Sequence, residues 1–287
     1  MAELHTRDAF QLLKKLPASS IDLVLTSPPY CMGKPYETSI SAADFVALHR
    51  RILPMIERVL RPGGNVCWQV GHHVTNGVSV PLDALVYQAA SEKTGLVLRN
   101  RIVWMFGHGA HSQRRFSGRH ETVLWFSKGN DYYFDLDAVR VPQKYPGKRA
   151  YKGARRGQWS GNPLGKNPGD VWDIPNVKSK HPEKTDHPCQ FPVALAQRLI
   201  KGLSKPGGTV FDPFMGSGST AVAALQLGRN FVGSEILLEY VEIASKRLVA
   251  LQAGELKTRP DTPPRQPVPG EAVAARPPHF KFNEAAE

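Results

Sequence analysis

The stretch TVFDPFMGSGST at residues 209–220 decides the fold of this chain. It predicts a short strand, a turn built on Gly216 and Gly218, and a helix from Ser219 to Leu227. Glycines let the backbone approach a ligand closely, and the N–H groups at the start of a helix can bind an anionic group. The stretch therefore predicts a ligand-binding turn between a strand and a helix.

A second short strand is predicted next, at residues 230–234, and it ends at Glu235. Glu235 follows Asp212 at roughly the 20-residue interval at which a carboxylate meets the ribose in nucleotide-binding βαβ units. Two glycines alone are weak evidence. The strand, glycine turn, helix, second strand and terminal acid together predict a site for a cofactor that carries a ribose.

The string TSPPY at residues 26–30 closes an apolar run at residues 21–25. It suits the handling of an exocyclic amine, whose lone pair is delocalised into its ring until acceptors hold its hydrogens. Ser27 Oγ and the Pro28 carbonyl could be those acceptors. Pro28 and Pro29 fix φ and carry no competing N–H, and Tyr30 could stack on a planar base. The alternative interpretation is an ordinary proline turn after a strand.

The remaining apolar patterns predict alternating helices and strands, and so an α/β fold with a mostly parallel sheet. Helices are expected at residues 41–60, 82–92 and 193–203, and strands at residues 65–70, 101–106 and 121–126. The ligand crevice of such a sheet lies at the carboxyl ends of its strands. TSPPY and the glycine turn both fall at strand ends.

These two strings, with Asp8-Ala9-Phe10 before TSPPY and HPCQFP at residues 187–192 before the glycine turn, resemble the β class of DNA amino-methyltransferases. That class contains the N4-cytosine and N6-adenine enzymes, and the resemblance covers residues 4–252. The order of catalytic motif, recognition region and cofactor motif also agrees. The resemblance implies a Rossmann-like S-adenosylmethionine-dependent methyltransferase fold, with a circularly permuted motif order and an inserted target-recognition region.

The resemblance also implies roles for individual residues. Ser27, Pro28, Pro29 and Tyr30 would form the catalytic site. S-adenosylmethionine would contact Asp8, Ala9, Phe10, Thr26, His187, Phe191, Asp212, Pro213, Phe214, Gly216, Ser217, Gly218, Ser219, Thr220 and Glu235. Asp8 and Phe10 are expected at its adenine and Glu235 at its ribose. The residues expected at its methionine side are Asp212, Gly216–Thr220, His187 and Phe191.

The distribution of charge points to double-stranded DNA as the partner. The net charge is +12, and residues 140–184 alone hold eleven Lys or Arg against three acids. An acidic polymer is the expected partner of such a segment. The candidate DNA contacts are Lys144, Lys148, Arg149, Lys152, Arg155, Arg156 and Trp159, with Arg114, Arg115 and Arg119 in a loop at residues 107–119. A disordered basic linker is the alternative interpretation of the longer segment.

Four parts of the chain follow from these observations. Residues 1–139 form the catalytic half, residues 140–185 the basic target-recognition segment, and residues 186–254 the cofactor-binding half. Residues 255–287 form a tail with seven prolines between Pro260 and Pro278, which Phe280 and Phe282 could dock onto the body or a second subunit. A homodimer is a possible assembly, and a separate restriction endonuclease a possible partner.

Cysteines and histidines give little sign of a metal site. Cys31, Cys67 and Cys189 lack C-x-x-C spacing, and the pairs His72/His73 and His108/His111 lack convergent partners. No apolar run approaches 18 residues, and the N-terminal residues lack a basic and then apolar leader. A cytoplasmic protein without a metal is therefore expected.

Three alternatives remain open. Pro188-Cys189-Gln190 matches the nucleophile tripeptide of cytosine-C5 methyltransferases, although the motif order differs and no Glu-Asn-Val follows. A non-catalytic DNA-binding protein on the same fold is a second alternative. The target base is the third: adenine N6 is placed slightly ahead of cytosine N4, because stand-alone members more often methylate adenine. A serine before Pro-Pro-Tyr is nevertheless commoner in the N4-cytosine enzymes.

Overall fold

The computed structural model describes residues 1–30, 41–75, 77–107, 109, 111–143, 148–158, 160, 162, 164–178 and 180–259. The strands are β1 (Ala2–Thr6), β2 (Ile21–Thr26), β3 (Leu60–Val70), β4 (His72–Thr75), β5 (Val78–Pro81), β6 (Leu96–Met105), β7 (His120–Lys128), β8 (Val171–Asp173), β9 (Thr209–Asp212) and β10 (Asn230–Glu235). The helices are α1 (Ala9–Lys15), α2 (Ala42–Val59), α3 (Leu82–Lys93), α4 (Val193–Leu203), α5 (Ser219–Gln226) and α6 (Leu238–Gln252).

One eight-stranded sheet organises the molecule, in the order β1-β10-β9-β2-β3-β7-β6-β8. The first five strands are parallel to one another, β7 is antiparallel to both β3 and β6, and β8 is parallel to β6. β4 and β5 form a separate antiparallel pair. The carboxyl ends of β10, β9, β2 and β3 therefore share one edge of the sheet with the beginning of β7.

Helices cover both faces of the sheet, and alternate residues of each strand supply the two cores. Val24, for example, points to the core beneath α1, α2 and α3, whereas its neighbours Leu23 and Leu25 point to the core beneath α4, α5 and α6. All three are essentially inaccessible to solvent. Both faces of the central strands are thus buried, as expected for a parallel sheet between helical layers.

The α/β fold with a mostly parallel sheet is confirmed, and α4 has the bounds predicted from its spacing. Ser41 caps α2 as its position suggested, by accepting a hydrogen bond from the Asp44 N–H. Two strands begin earlier than expected. β3 begins at Leu60, not at Asn65, because Leu60 already pairs with Ile21. β6 begins at Leu96, not at Arg101, because Leu96 already pairs with Lys128. The loop at residues 107–119 joins β6 to β7, and both are interior strands because β8 covers β6 at the sheet edge.

Within the described ranges, no helix combines the length and the apolar character needed to cross a bilayer.

Candidate active site

A single cavity of about 650 Å³ lies at the carboxyl ends of the parallel strands. Ser27 and Gly216 both line it, although they come from motifs far apart in the chain. The strands that carry these motifs, β2 and β9, are direct neighbours. Thr26 Oγ1 donates a 2.6 Å hydrogen bond to Asp212 Oδ1 and so ties the two motifs together.

The topology leaves a crevice at this point. After β9 the chain passes through α5 to β10 on one side, and after β2 it leads to β3 on the other side. The loops therefore diverge above the junction of β2 and β9, which is where ligands bind in open α/β sheets. A volume of this size is also ordinary for a small-molecule site.

The catalytic candidates from TSPPY form one wall of the cavity. Ser27, Pro28, Pro29 and Tyr30 all line it, and Ser27 Oγ lies 3.4 Å from Tyr30 Oη. Burial raises the pKa of Tyr30 above its ordinary value, and the charge of Glu121 adds to the effect. Tyr30 is thus a neutral hydroxyl beside Ser27 at neutral pH.

Two residues that the sequence did not single out extend this wall. Gln69 near the end of β3 contacts Tyr30, with Nε2 3.0 Å and Oε1 3.3 Å from Tyr30 Oη. Gln69 Nε2 also donates to Glu121 Oε2 at the start of β7. Burial raises the pKa of Glu121 to about 7, while the hydrogen bond from Gln69 opposes the shift. Sequence patterns assigned both residues only to strands.

The glycine turn forms the opposite wall. Gly216 and Gly218 both have positive φ, +46° and +76°, which only glycine adopts without strain. A Cβ on Gly216 would lie 2.8 Å from His187 Nε2. The turn therefore brings backbone against the histidine and leads directly into α5, whose N-terminal residue Ser219 also lines the cavity.

Two carboxylates flank the turn in the positions expected for cofactor contacts. Glu235 lines the cavity, and its oxygens accept hydrogen bonds from the N–H groups of Gly216 at 3.1 Å and Leu237 at 3.0 Å. Burial raises the pKa of Glu235. Asp8 also lines the cavity and caps α1 by accepting hydrogen bonds from the Phe10 and Gln11 N–H groups. Both side chains are oriented by backbone N–H groups.

Aromatic and imidazole side chains complete the lining. His187 packs edge-on against Tyr240, with ring centroids 4.4 Å apart, and its Nδ1 accepts a hydrogen bond from the Cys189 N–H. Burial lowers the pKa of His187 to about 4, so this imidazole is neutral at neutral pH. The predicted residues Ala9, Phe10, Phe191, Pro213, Phe214 and Ser217 also line the cavity, and so do Arg7, Arg51, Trp104, Phe106, Cys189 and Tyr240, for which no cofactor role was predicted.

Four of the predicted cofactor residues lie behind the wall instead of lining it. Thr26, Asp212 and Thr220 form a buried cluster in which Thr26 and Thr220 each donate a 2.6 Å hydrogen bond to the carboxylate. Burial raises the pKa of Asp212 to about 6 despite these hydrogen bonds. The fourth residue, Gly218, packs against Ala244 of α6. These residues shape the turn from below.

The basic segment is placed on the surface where it is described. Lys148, Arg149, Lys152, Arg155 and Arg156 are all exposed. Backbone hydrogen bonds order this stretch, including one of 2.9 Å from the Ala150 N–H to the Gln158 carbonyl and one of 3.0 Å from the Ser160 N–H to the Lys148 carbonyl. Lys144 and Trp159 lie outside the described residues, as do Cys31, His108 and the proline-rich tail from Pro260 onward.

The arginine loop at residues 107–119 is rooted in the cavity wall. Phe106 before it and Glu121 after it both line the cavity, and the Phe106 N–H donates to the Arg119 carbonyl at 3.1 Å. Arg114 and Arg115 are exposed, and Phe116 beside them is completely exposed. A positively charged loop therefore stands next to the cavity.

The lining suits S-adenosylmethionine. Phe10 and Phe214 offer apolar faces for an adenine, Glu235 offers carboxylate oxygens to ribose hydroxyls, and the glycine turn admits a ligand close to the backbone. Among the described residues, no group of three or more His, Cys, Asp or Glu could hold a metal ion.

Comparisons with known proteins agree with this geometry. The family model for N6 and N4 DNA methylases matches residues 21–246. The chain is 44% identical over 243 residues to the type II methyltransferase M.BglII of Bacillus subtilis. This alignment covers 84% of this chain and 67% of M.BglII. It is 39% identical over 255 residues to M.ScaI of Streptomyces caespitosus, with 86% and 81% covered. It is 32% identical over 247 residues to the DNA adenine methyltransferase YhdJ of Escherichia coli K12, with 84% and 80% covered.

Solved structures show the same fold. The cytosine-N4-specific PvuII DNA methyltransferase has a TM-score of 0.70 and 22% identity, with 85% of each chain covered. The protein TTHA0409 of Thermus thermophilus, solved as a complex with S-adenosyl-L-methionine, has a TM-score of 0.61 and 27% identity, with 87% of this chain and 95% of that one covered.

Proposed function

Because this chain belongs to the family of N6 and N4 DNA methylases and is an S-adenosylmethionine-dependent DNA methyltransferase, we propose that its cavity methylates the exocyclic amine of a base extruded from double-stranded DNA. The observation that carries this proposal is the hydrogen bond from Thr26 to Asp212, which holds the ends of TSPPY and the glycine-turn strand on one cavity. A base inside a duplex cannot reach such a cavity, so extrusion is required at a cost of a few kcal/mol.

The cofactor contacts follow from the two sides of the cavity. Phe10 and Asp8 receive the adenine, Glu235 accepts hydrogen bonds from the ribose, and the turn at Gly216 together with His187 encloses the methionine part. When bound, S-adenosylmethionine supplies an electrophilic methyl group. His187 stays neutral here, because its pKa is lowered to about 4. It therefore adds no positive charge beside a cationic ligand.

The base is held on the TSPPY wall. Ser27 Oγ and the Pro28 carbonyl accept the hydrogens of the amine, which localises the nitrogen lone pair for attack. Tyr30 stacks on the base, and Pro29 keeps the carbonyls aimed without adding a donor. With S-adenosylmethionine bound, this wall would hold the amine nitrogen ~3–3.5 Å from the methyl carbon, and such positioning would supply much of the reduction of the barrier. The bond from carbon to nitrogen would form as the bond from carbon to sulfur breaks, which leaves S-adenosylhomocysteine and one released amine proton as the other products.

Between the two bases, adenine N6 is proposed slightly ahead of cytosine N4 as the methylated amine, because stand-alone members more often methylate adenine and YhdJ, named for adenine, is a relative of this chain. Cytosine N4 is the competing outcome, which Ser27 favours. Methylated DNA digested to nucleosides and analysed by mass spectrometry distinguishes N4-methylcytosine from N6-methyladenine. Sequencing that reports modified positions gives the recognition site in the same sample.

Substitutions at the TSPPY wall test the site. Ser27→Ala and Tyr30→Ala should each abolish transfer of tritiated methyl groups to DNA, because they remove the amine acceptor and the stacking ring. Binding of S-adenosylmethionine, measured by calorimetry, should stay close to that of the unaltered protein. Normal turnover in both variants would rule out these roles, and absence of methyl transfer by the unaltered protein would favour a non-catalytic DNA-binding protein.

Cys189 tests the competing cytosine-C5 chemistry. Its thiol is exposed and lines the cavity, which is the placement that a thiolate nucleophile would need. Transfer to an exocyclic amine needs no covalent adduct with the base, so Cys189→Ser should retain methyl transfer. Complete loss of activity in a folded Cys189→Ser protein, with 5-methylcytosine as the product of the unaltered one, would reverse the assignment.

The surface roles are part of the same proposal. The arginine loop and the exposed basic residues of the segment at residues 140–185 contact DNA, mainly through phosphates. The free thiols of Cys67 and Cys189 suit a cytoplasmic location. A homodimer and a separate restriction endonuclease remain proposals for the assembly and the partner. Light scattering on the purified protein tests the first, and the neighbouring genes test the second.

A further inference from the structure

A continuous line of polar contacts runs along the TSPPY wall and ends at a carboxyl group. Ser27 Oγ lies 3.4 Å from Tyr30 Oη, Gln69 Nε2 lies 3.0 Å from the same Oη, and Gln69 Nε2 also donates to Glu121 Oε2. All four side chains line the cavity. The proposed chemistry uses Ser27 and Tyr30 but gives no role to Gln69 or Glu121.

The sheet topology explains why Glu121 reaches this place. β7 runs antiparallel to β3, so its first residues lie beside the last residues of β3. A Cβ added at Gly71, just after β3, would lie 3.2 Å from Glu121 Oε1 and 3.4 Å from Tyr30 Cε2. The carboxyl group and the tyrosine ring therefore flank the same point. Glu121 is half-buried, and it lies at the cavity beside the proposed base-stacking ring.

We propose that the ionised Glu121 carboxylate is a positioning residue for methyl transfer, which acts through Gln69 to orient the Tyr30 hydroxyl toward Ser27. A carboxylate only accepts hydrogen bonds, so it selects the Gln69 rotamer that points Nε2 toward it. The second Nε2 hydrogen is then donated to Tyr30 Oη, and the tyrosine hydrogen can be donated to Ser27 Oγ. This inference rests on the proposed roles of Ser27 and Tyr30.

Protonation of Glu121 would reverse the direction of the hydrogen bonds along this line of contacts. A carboxylic acid carries an O–H donor, which pairs better with the Gln69 carbonyl oxygen than with its amide hydrogens. The Gln69 amide would then turn, and Tyr30 would have to donate where it previously accepted. The pKa of Glu121, raised by burial to about 7, places this change within the working range of pH. The hydrogen-bond direction that orients Tyr30 toward Ser27 is therefore the one formed at higher pH, where Glu121 is ionised.

The groups around Glu121 bear on its ionisation. Among the described residues, Tyr30 after β2 and Cys189 before α4 are titratable groups that interact electrostatically within the cluster, and the raised pKa of Tyr30 keeps its phenol neutral at the relevant pH. Gln69 on β3 and Trp104, which pairs with Glu121 from β6, carry no charge. Other ionisable residues of the cavity are Arg7, Asp8, Asp44, Arg51, His187 and Glu235.

The pH dependence of kcat/KM with a DNA substrate tests the proposal, since this parameter reports the ionisations of the free enzyme. The unaltered protein should lose activity as the pH falls through about 7. Glu121→Gln keeps the size of the side chain but cannot ionise. It should lose that acidic limb and turn over about tenfold more slowly at pH 8, the scale expected for one misdirected hydrogen bond.

Matched variants separate positioning from folding. Glu92→Gln removes an exposed carboxylate that pairs with Arg50, and it should leave the whole profile unchanged. Gln69→Met interrupts the line at its centre and should reproduce the Glu121→Gln profile. The double variant should be no slower than either single variant, because both break the same line. If Glu121→Gln fails to fold, the pH profile of Gln69→Met tests the proposal in its place.

Two results would overturn the proposal. The first is a Glu121→Gln protein with the rate and acidic limb of the unaltered one. The second is a parallel loss of S-adenosylmethionine binding and thermal stability in that variant, which would make Glu121 merely structural. Inactive Ser27→Ala and Tyr30→Ala proteins beside an unaffected Glu121→Gln would reject this inference alone. Activity in the first two would reject the proposed site itself.

Discussion

Asp212 links the two motifs of the site although it does not line the cavity. Its carboxylate is buried beneath the cavity, where it accepts hydrogen bonds from Thr26 and Thr220 and so fixes the ends of β2 and β9. Burial raises its pKa from 3.8 to about 6. Because the folded protein binds this proton more tightly than the unfolded chain, Asp212 contributes stability at low pH that is lost as the pH rises through about 6.

The predicted consequence is that the difference in free energy of unfolding between the unaltered protein and Asp212→Asn depends on pH. Asn cannot ionise, so the free energy of unfolding of the unaltered protein should fall by about 1 kcal/mol relative to Asp212→Asn between pH 5 and pH 8. Urea unfolding of both proteins at the two pH values measures the change. The comparison cancels the titration of groups that do not interact with Asp212, and an identical difference at both pH values would mean that Asp212 has an ordinary pKa.

The sequence predicted some residues of the site but not others. Ser27, Tyr30, Gly216 and Glu235 were predicted to share a site, and all four line one cavity, because each belongs to a short string whose residue types limit its chemistry. Gln69 and Glu121 belong to no such string. Their place on the wall depends on the pairing of β3 with β7, a contact between distant segments that local patterns do not encode.

At the scale of elements, the turn between β9 and α5 is packed against α6. A Cβ on Gly218 would lie 2.8 Å from Ala244 Cβ and 3.3 Å from its Cα. Arg247, one turn further along α6, donates a 2.6 Å hydrogen bond to the Ser217 carbonyl. The cofactor turn therefore takes its shape from a helix that does not itself carry the glycine motif.

Gly218→Ala should consequently damage both stability and cofactor binding. Its φ of +76° costs alanine ~1–2 kcal/mol, and the contact with Ala244 must push the turn or α6 aside. A further ~1.4 kcal/mol at the site would weaken S-adenosylmethionine binding about tenfold. Gly228→Ala is the matched control, because Gly228 also has a positive φ, +67°, but its Cβ would meet no atom within 4 Å.

Calorimetry and thermal unfolding of the two glycine variants distinguish backbone strain from the packing contact. Gly228→Ala should lower only the melting temperature, whereas Gly218→Ala should lower it further and raise the Kd for S-adenosylmethionine. Equal effects of the two substitutions would show that the contact with α6 is unimportant.

The elements also differ in how well the sequence defined them. α4 was predicted with its observed bounds, because its apolar spacing is complete and Pro192 precedes it. β8 was missed, since three residues in a basic, glycine-rich segment carry no periodic signal. It forms because β6 offers an open edge. The Val103 N–H of β6 donates to the Asp170 carbonyl before β8, and the Ile174 N–H after β8 donates to the Met105 carbonyl of β6. Trp172 is buried there, so the basic segment at residues 140–185 is anchored to the sheet.

At the scale of the whole molecule, two basic segments are joined to strands of the large sheet. The arginine loop is flanked by the cavity residues Phe106 and Glu121, and β8 attaches the basic segment to β6, the strand that enters this loop. On the proposed function, a duplex that contacts the arginine loop would lie next to the cavity. Phosphate binding would then be a property of the basic surface, and methyl transfer a property of the strand ends.

The salt dependence of DNA binding tests this separation. Arg155→Ala/Arg156→Ala removes two exposed charges of the basic segment. If both arginines bind phosphates, the slope of log K against log salt should fall by about 1.8 in magnitude, at ~0.9 for each phosphate that is no longer neutralised.

Lys14→Ala/Lys15→Ala is the control, because it removes the same charge from the last turn of α1 and should leave the slope unchanged. Single-turnover methylation at saturating DNA should be normal in both variants, because neither pair lines the cavity. An equal decrease of the slope in the two variants would show that DNA binding depends on overall net charge and not on a dedicated surface.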